Sequence, residues 1–157
     1  NDYKAKAHRL SETARINNIR FWNDSKATNF SATIAACKSM HGRTVWVGGG
    51  KSKGVGLDSF AGSMRDYLDE AFVFGEVAGD LVESFSYNGI QTRACKDLAE
   101  AVIHAYSESK ADTNILFSPG FSSMDQFENF EERGKFFDQI VFDLKSHSFQ
   151  TTHLELN

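Results

Sequence analysis

The chain alternates short apolar runs with longer segments in which apolar residues recur three and four positions apart. Runs of the first kind predict strands at residues 16–22, 44–47, 71–74, 90–92 and 114–117. Segments of the second kind predict helices at residues 31–40, 57–68, 76–85, 96–107 and 125–144, with earlier starts at 28 and 124 also open for the first and the last. Strands that alternate with helices form βαβ units, so we expect an α/β fold: a three-layer, Rossmann-like domain whose mainly parallel sheet is flanked by helices. No linker or repeat divides residues 1–157, and we expect a single domain.

The two ends of the chain are less regular. Residues 3–14 carry few apolar side chains and predict a helix or the remnant of one. The last helix is predicted to begin with a capping box between Asp125 and Glu128. Beyond residue 144 the apolar alternation is weak, and we interpret residues 147–157 as an extra edge strand or a loose tail.

Polar loops follow three of the predicted strands. They are residues 23–29 (the 23–29 loop), residues 48–56 (the glycine loop) and residues 118–123 (the serine loop). Parallel strands place their carboxyl ends at one edge of a sheet, where ligands bind in open α/β folds, so we expect the three loops to converge there. Asp24 and Thr28 offer a carboxylate and a hydroxyl beside a helix start; the alternative is that they form only the turn and the cap.

The glycine loop does not carry a known nucleotide-binding motif. A P-loop requires glycine at position 45, which is Val45, and a dinucleotide-binding motif requires glycine at position 53, which is Lys53. The loop instead offers bare backbone N–H groups and the ammonium groups of Lys51 and Lys53, a combination suited to a carboxylate or a phosphate. The alternative is a surface turn with solvated lysines.

The serine loop lacks a G-x-S-x-G motif, and no histidine stands in a fixed relationship to it, so we do not expect a hydrolase triad. A serine just before a helix start more often caps the helix or helps to bind an anion. We interpret the carboxylates of Glu131 and Glu132, early in the last helix, as a solvated turn and not as catalytic acids.

Composition removes several classes of function. The 17 Lys and Arg residues against 21 Asp and Glu give a net charge of −4, which does not fit a nucleic-acid-binding domain. No apolar run reaches the roughly 20 residues that cross a bilayer, so we expect a cytoplasmic protein without a membrane partner. Cys37 and Cys95 are far apart and the histidines are scattered, so we expect packed thiols and no metal site.

Three segments of the chain, together with the pair His8-Arg9, resemble one known family. The segments are Phe21-Trp22-Asn23-Asp24-Ser25-Lys26-Ala27-Thr28-Asn29, then Gly49-Gly50 with Lys53-Gly54, then Ser118-Pro119 with Ser123, Asp125, Phe127, Asn129-Phe130-Glu131 and Arg133-Gly134. Through them residues 8–144 are similar to the C-terminal domain of the Mur ligases, and to the MurD branch that adds D-glutamate to UDP-N-acetylmuramoyl-L-alanine in peptidoglycan synthesis. Two pairs of residues depart from the family pattern: Gly56-Leu57 replaces an acidic-aromatic pair, and Phe121-Ser122 replaces smaller residues.

The resemblance implies a three-domain, ATP-dependent ligase of which this chain is the last domain. The central domain would carry the P-loop, the Mg²⁺ ligands and a carbamylated lysine, and the N-terminal domain would hold the UDP group. ATP would phosphorylate the substrate's terminal carboxylate, the amine of D-glutamate would attack the acyl phosphate, and the tetrahedral intermediate would lose phosphate. The chain alone is then expected to be inactive.

Roles at the site follow from the same resemblance. Arg9 and Asp24 are expected to contact the nucleotide, with Asp24 accepting hydrogen bonds from the ribose hydroxyls. Lys26 is a further candidate whose direct role is not assigned.

The resemblance also implies contacts with D-glutamate. Thr28 and Lys53 are expected to hold its α-carboxylate, while the Ser123 hydroxyl and the Phe130 backbone N–H hold its side-chain carboxylate. A dicarboxylate requires two anion sites a fixed distance apart, and loops on one rigid sheet can supply them.

A stand-alone anion- or nucleotide-binding module without catalysis is the alternative function, because the glycine loop and the lack of a catalytic set fit it too. The two functions differ in whether a P-loop precedes Asn1 in the natural protein.

Overall fold

The structure, a computed structural model, describes residues 8–52, 56–123 and 126–155. In these residues one sheet has the strand order β1-β2-β6-β3-β4-β5. The strands are β1 (Ser11–Ile16), β2 (Ile19–Asn23), β3 (Arg43–Gly49), β4 (Glu70–Phe74), β5 (Gln91–Ala94) and β6 (Thr113–Phe117). β1 pairs with β2 antiparallel, and the other neighbours pair in parallel. The prediction of an α/β fold with a mainly parallel sheet is confirmed.

Helices cover both faces of this sheet. They are α1 (Phe30–Ser39), α2 (Leu57–Met64), α3 (Ala78–Tyr87), α4 (Leu98–Ser107) and α5 (Phe130–Glu155), with a 3₁₀ turn over Arg65–Tyr67 after α2. No helix of the described residues is both long and apolar enough to cross a membrane.

Alternation along the strands separates two apolar cores. Val45 and Val47 pack in a core with residues of α4 and α5, whereas Trp46, between them, packs in a second core with residues of α1, α2 and α3. All three side chains are fully buried. Since successive residues of a strand point to opposite faces, a continuous apolar run is what a strand covered on both faces requires, and the predicted three-layer arrangement follows.

The prediction for the N-terminal segment was wrong. Ser11–Ile16 is an edge strand and not a helix, and the predicted strand 16–22 is the second arm of a hairpin with it. Asn17 and Asn18, at the turn, have φ angles of 49° and 64°. Two consecutive residues at positive φ form the tight turn that suits the twist of a hairpin, and asparagine tolerates this conformation. Residues 3–7 of the predicted helix lie outside the described residues.

The last helix begins later and ends later than predicted. It starts at Phe130, and the Asn129 side chain caps it by accepting a 2.9 Å hydrogen bond from the Glu132 N–H. The expected cap at Asp125 lies outside the described residues, and Glu128 precedes the helix. Because no Gly or Pro follows Gly134 to stop the helix, it continues to Glu155. The interpretation of residues 147–155 as an edge strand or a loose tail was therefore wrong.

Candidate ligand site at the carboxyl edge of the sheet

The three polar loops meet at one edge of the sheet. β6 lies between β2 and β3 and is parallel to both, so the 23–29 loop, the serine loop and the glycine loop leave three neighbouring strands. Backbone hydrogen bonds join them, from Asp24 N to Phe117 O at 2.7 Å, Gly120 N to Ala27 O at 2.8 Å, Gly49 N to Pro119 O at 3.1 Å and Lys51 N to Ser122 O at 3.1 Å. The serine loop is thus bonded to both of the others.

Glycine at position 50 allows the glycine loop to approach the serine loop closely. Gly50 has a φ angle of 145°, and a Cβ atom built on it would lie 2.3 Å from the carbonyl oxygen of Ser122. Residues other than glycine rarely adopt this backbone conformation, and the contact with a carbonyl oxygen leaves no room for a methyl group. Glycine at position 50 is therefore a packing requirement.

Asp24 lies at the start of the 23–29 loop and is only 6% exposed. Its Oδ1 accepts a 3.0 Å hydrogen bond from the Leu10 backbone N–H, and its Oδ2 accepts a 2.7 Å hydrogen bond from the Ser118 hydroxyl. Burial raises the pKa of Asp24, although these two donors and the charge of Arg9 act in the opposite direction. A carboxylate oxygen has a second lone pair, so Asp24 can still accept from a ligand.

A groove opens beside Asp24. It encloses about 380 Å³, and Arg9, Asp24 and Lys26 line it together with apolar side chains of the 23–29 loop and α1. The small side chains on α1 are Ala32, Ala35, Ala36 and Ser39. The groove therefore combines small apolar side chains with one carboxylate and two cationic side chains, which suits a ligand with an apolar ring, hydroxyl groups and negative charge.

The structure brings together Thr28, Ser123 and Phe130 only through the loops that carry them. Thr28 is exposed and directly follows Ala27, whose carbonyl oxygen accepts from the serine loop. Ser123 is 4% exposed and directly follows Ser122, which accepts from the glycine loop. Phe130 is the first residue of α5, where backbone N–H groups have no partner within the helix. Lys53 lies outside the described residues.

Lys26 is the side chain between the groove and the start of α5. It lines the groove, and its ammonium nitrogen lies 5.8 Å from the centroid of the Phe130 ring. Its backbone N–H donates a 3.0 Å hydrogen bond to the His8 carbonyl oxygen, which holds the segment carrying Arg9 against the 23–29 loop. A cation over an aromatic ring is favourably placed, so Lys26 has a defined position next to both candidate ligand regions.

Sequence reasoning assigned no role to three buried polar side chains of this region: Asn23, Ser118 and Arg133. Asn23 Nδ2 donates to Gly134 O at 2.9 Å and to Asp138 Oδ1 at 2.8 Å. One signal for Arg133 was available in the sequence, because it stands four residues before Phe137 on the apolar stripe of the last helix. A charged residue on a buried helix face indicates a specific partner.

Metal binding finds no support at this edge. Among the residues that the structure describes, no group of three His, Cys, Asp or Glu side chains could hold a metal ion. Both cysteines are buried and free, as the sequence predicted.

Comparison with known proteins identifies relatives of this chain. The sequence profile of the family described as "Mur ligase, glutamate ligase domain" matches residues 8–121. A UDP-N-acetylmuramoylalanine-D-glutamate ligase from Christiangramia forsetii is 38% identical over 138 residues, which are 87% of this chain and 31% of that protein. Another from Pelotomaculum thermopropionicum is 36% identical over 144 residues, which are 91% of this chain and 32% of that protein. The chain thus spans about a third of the length of these relatives.

The fold is also similar to that of a solved ligase. UDP-N-acetylmuramate-alanine ligase MurC from Thermotoga maritima superimposes with a TM-score of 0.59 at 14% identity, over 88% of this chain and 30% of that one. At this level of identity the likeness concerns the fold alone.

Proposed function

The chain belongs to the Mur ligase family as its C-terminal domain, and on that premise we propose that it contributes the D-glutamate site and part of the ATP site to a ligase that adds D-glutamate to UDP-N-acetylmuramoyl-L-alanine. The observation that carries the proposal is the meeting of the three loops on neighbouring parallel strands. The three loops and the start of α5 would bind the diacid, and the groove beside the 23–29 loop would bind the nucleotide.

The groove supports the nucleotide part of the proposal. Asp24 is a buried acceptor with its carboxylate fixed by two donors, so it can receive ribose hydroxyls without rearranging. Arg9 is exposed beside it and would face the phosphate groups, for which a guanidinium is well suited. The alanines of α1 offer the apolar wall on which a sugar or base could lie.

The diacid would lie where the 23–29 loop, the glycine loop and the serine loop meet. Thr28 and Lys53 would hold the α-carboxylate, and the Ser123 hydroxyl with the Phe130 N–H would hold the side-chain carboxylate. The start of a helix favours negative charge, which supports an anion beside Phe130. With both carboxylates held, the amine of D-glutamate is the group left to react.

The reaction that follows requires positioning more than covalent help from this domain. ATP transfers its terminal phosphoryl group to the substrate carboxylate, the D-glutamate amine attacks the acyl carbon, and the intermediate expels phosphate to leave an amide. Fixing the amine relative to the acyl phosphate turns a bimolecular step into a local one. We propose that the magnesium that accompanies ATP is held outside this domain, and that the isolated chain forms no amide bond.

Paired substitutions in the full-length ligase that carries this domain test the proposal. Ser123→Ala and Thr28→Val each remove a hydrogen bond to a carboxylate and are expected to raise the KM for D-glutamate by about tenfold or more while leaving the KM for ATP nearly unchanged. Asp24→Asn is expected to show the opposite selectivity. Ser107→Ala, in the last turn of α4, is the matched control.

Lys53→Ala extends the same test to the glycine loop, with Lys110→Ala as its control on an exposed lysine before β6. Unchanged D-glutamate kinetics in both Ser123→Ala and Lys53→Ala would reject the diacid site. If the protein still binds nucleotide and none of these variants changes the rate of ligation, the alternative function, a nucleotide-binding module, is favoured.

A further inference from the structure

Arg133, near the start of α5, is 0% exposed, and its guanidinium bonds to two different loops. Nε and Nη2 donate to Ser25 Oγ and Ser25 O at 3.2 and 2.8 Å, and Nη1 donates to Phe121 O at 2.8 Å. One planar group of α5 thus joins the 23–29 loop to the serine loop.

The partners of Arg133 are themselves held in place. Ser25 is 0% exposed, and its hydroxyl donates a 2.7 Å hydrogen bond to Phe130 O. The guanidinium carbon also lies 6.0 Å from the centroid of the Phe117 ring at the end of β6. Hydrogen bonds in such a water-free setting are strong and leave the guanidinium little freedom.

The bonded residues are close in sequence to the residues proposed to hold the diacid. Thr28 is three residues after Ser25, and Ser123 is two residues after Phe121. Thr28 also follows Ala27, whose carbonyl oxygen accepts from Gly120 N, and Ser123 follows Ser122, whose carbonyl oxygen accepts from Lys51 N, so both residues leave anchored backbone. The distance between the two anion sites therefore depends on the Arg133 guanidinium together with the Gly120 N to Ala27 O hydrogen bond between the same loops.

We propose that Arg133 is a positioning residue that sets the spacing between Thr28 and Ser123, and so selects a diacid of glutamate length over the shorter aspartate. This inference rests on the proposed function of the two loops. A lysine at position 133 would keep the positive charge, but its single ammonium group cannot reproduce a planar fork that reaches both loops. Loss of the fork would let the spacing vary and reduce discrimination by chain length.

The test uses the full-length ligase with Arg133→Lys and Ser25→Ala, measured with D-glutamate, D-aspartate and ATP. Arg133→Lys is expected to raise the KM for D-glutamate by about tenfold or more and to reduce the D-glutamate to D-aspartate ratio of kcat/KM, because one methylene group is worth about 10–200-fold in discrimination. Ser25→Ala removes only a hydroxyl and should give a smaller change of the same kind. The KM for ATP should stay within about twofold in both.

Arg93→Lys is the matched control, since Arg93 forms an exposed ion pair with Glu108. Thermal unfolding of each variant separates loss of folding from loss of positioning, and Ser25→Ala decides the matter if Arg133→Lys does not fold. Folded variants with an unchanged D-glutamate KM and an unchanged substrate ratio would overturn the inference. If Ser123→Ala raises the KM for D-glutamate while Ser25→Ala does not, the positioning role of Arg133 is rejected and the proposed diacid site stands. If neither variant raises this KM, the proposed diacid site is rejected as well.

Discussion

The Ser118 hydroxyl donates a 2.7 Å hydrogen bond to Asp24 Oδ2, across the junction of the serine loop and the 23–29 loop. Ser118 is itself held at the end of β6, because its carbonyl oxygen accepts from the indole of Trp46 at 2.7 Å and from the hydroxyl of Thr33 at 3.1 Å. The carboxylate of Asp24, which is proposed to bind the nucleotide, is thus held by the buried Ser118, which does not line the groove.

Asp24→Asn is expected to change the pH dependence of folding. Because burial raises the pKa of Asp24, the folded chain holds its proton more tightly than the unfolded chain. The stability contributed by Asp24 is therefore present at acidic pH and decreases as the pH rises above about 4 and through the raised pKa. Asparagine does not titrate, so the free energy of unfolding of the wild type, minus that of the variant, should fall over this range.

Asparagine can occupy this position without losing its partners. Its oxygen can accept from Leu10, and its amide can donate to Ser118, whose hydroxyl can turn to Thr33 Oγ1, 3.2 Å away. Urea unfolding of the 157-residue chain between pH 4 and pH 8 measures the difference, with the exposed Asp66→Asn as a control. A difference that grows with pH would contradict the assignment.

Gly50→Ala is expected to separate the glycine loop from the serine loop. The added methyl group would meet Ser122 O at 2.3 Å, and the backbone angle also disfavours alanine. The hydrogen bond from Lys51 N to Ser122 O should break, and the KM for D-glutamate in the full-length ligase should rise.

Gly79→Ala is the matched control for Gly50→Ala. Gly79 lies in α3 with no atom within 4 Å of the added Cβ, so alanine there should leave activity intact and stabilise the helix by up to about 1 kcal/mol. Equal kinetic effects of the two substitutions would show that loop spacing is not what matters at Gly50.

Gly134→Ala is expected to displace His8 and, with it, Arg9. A Cβ atom on Gly134 would lie 2.6 Å from the His8 ring, whose Nε2 is 3.6 Å from Asp138 Oδ2. Since the His8 carbonyl oxygen also accepts from Lys26 N, the groove should change shape and the KM for ATP should rise more than the KM for D-glutamate. Gly62→Ala, whose added Cβ would make only an ordinary 3.7 Å contact, should leave both constants unchanged.

The two thiols are expected to be unreactive in the folded chain. Burial raises the pKa of Cys95 to about 11 and raises that of Cys37 further, so neither forms the nucleophilic thiolate near neutral pH. A thiol-reactive dye should label neither cysteine at pH 7.5 until urea is added, and should then label both. Rapid labelling of Cys37 in the folded chain would mean that the contact between α1 and the sheet opens readily.

Local chemistry in the sequence was enough to predict most of the central strands and helices. The run Thr44-Val45-Trp46-Val47 is apolar on both faces, as a covered strand must be, and β3 contains it. The convergence of the three loops also followed from the parallel arrangement alone. Strand order did not follow, because nothing local to β6 states that it pairs with β2 and β3.

The errors arose where a weak local signal competed with tertiary structure. Asn17-Asn18 is a hairpin turn signal that lies inside the predicted strand 16–22, directly after the stretch 3–14 whose sparse apolar residues favoured a helix. At the last helix, Asp125 with Glu128 and Asn129 with Glu132 have the same capping spacing, and sequence cannot choose between them. The helix starts at Phe130, where Arg133 and Ser25 bind it to the loops.

The position of β6 determines when the sheet can form during synthesis. β2 and β3 do not pair with each other, and the strand that joins them is the last to be synthesised. Until residue 117 is available, the hairpin β1-β2 and the half-sheet β3-β4-β5 have no shared hydrogen bonds within the described sheet. A nascent or truncated polypeptide that stops before β6 therefore exposes two strand edges without hydrogen-bond partners. The ligand site forms only when β6 inserts between β2 and β3.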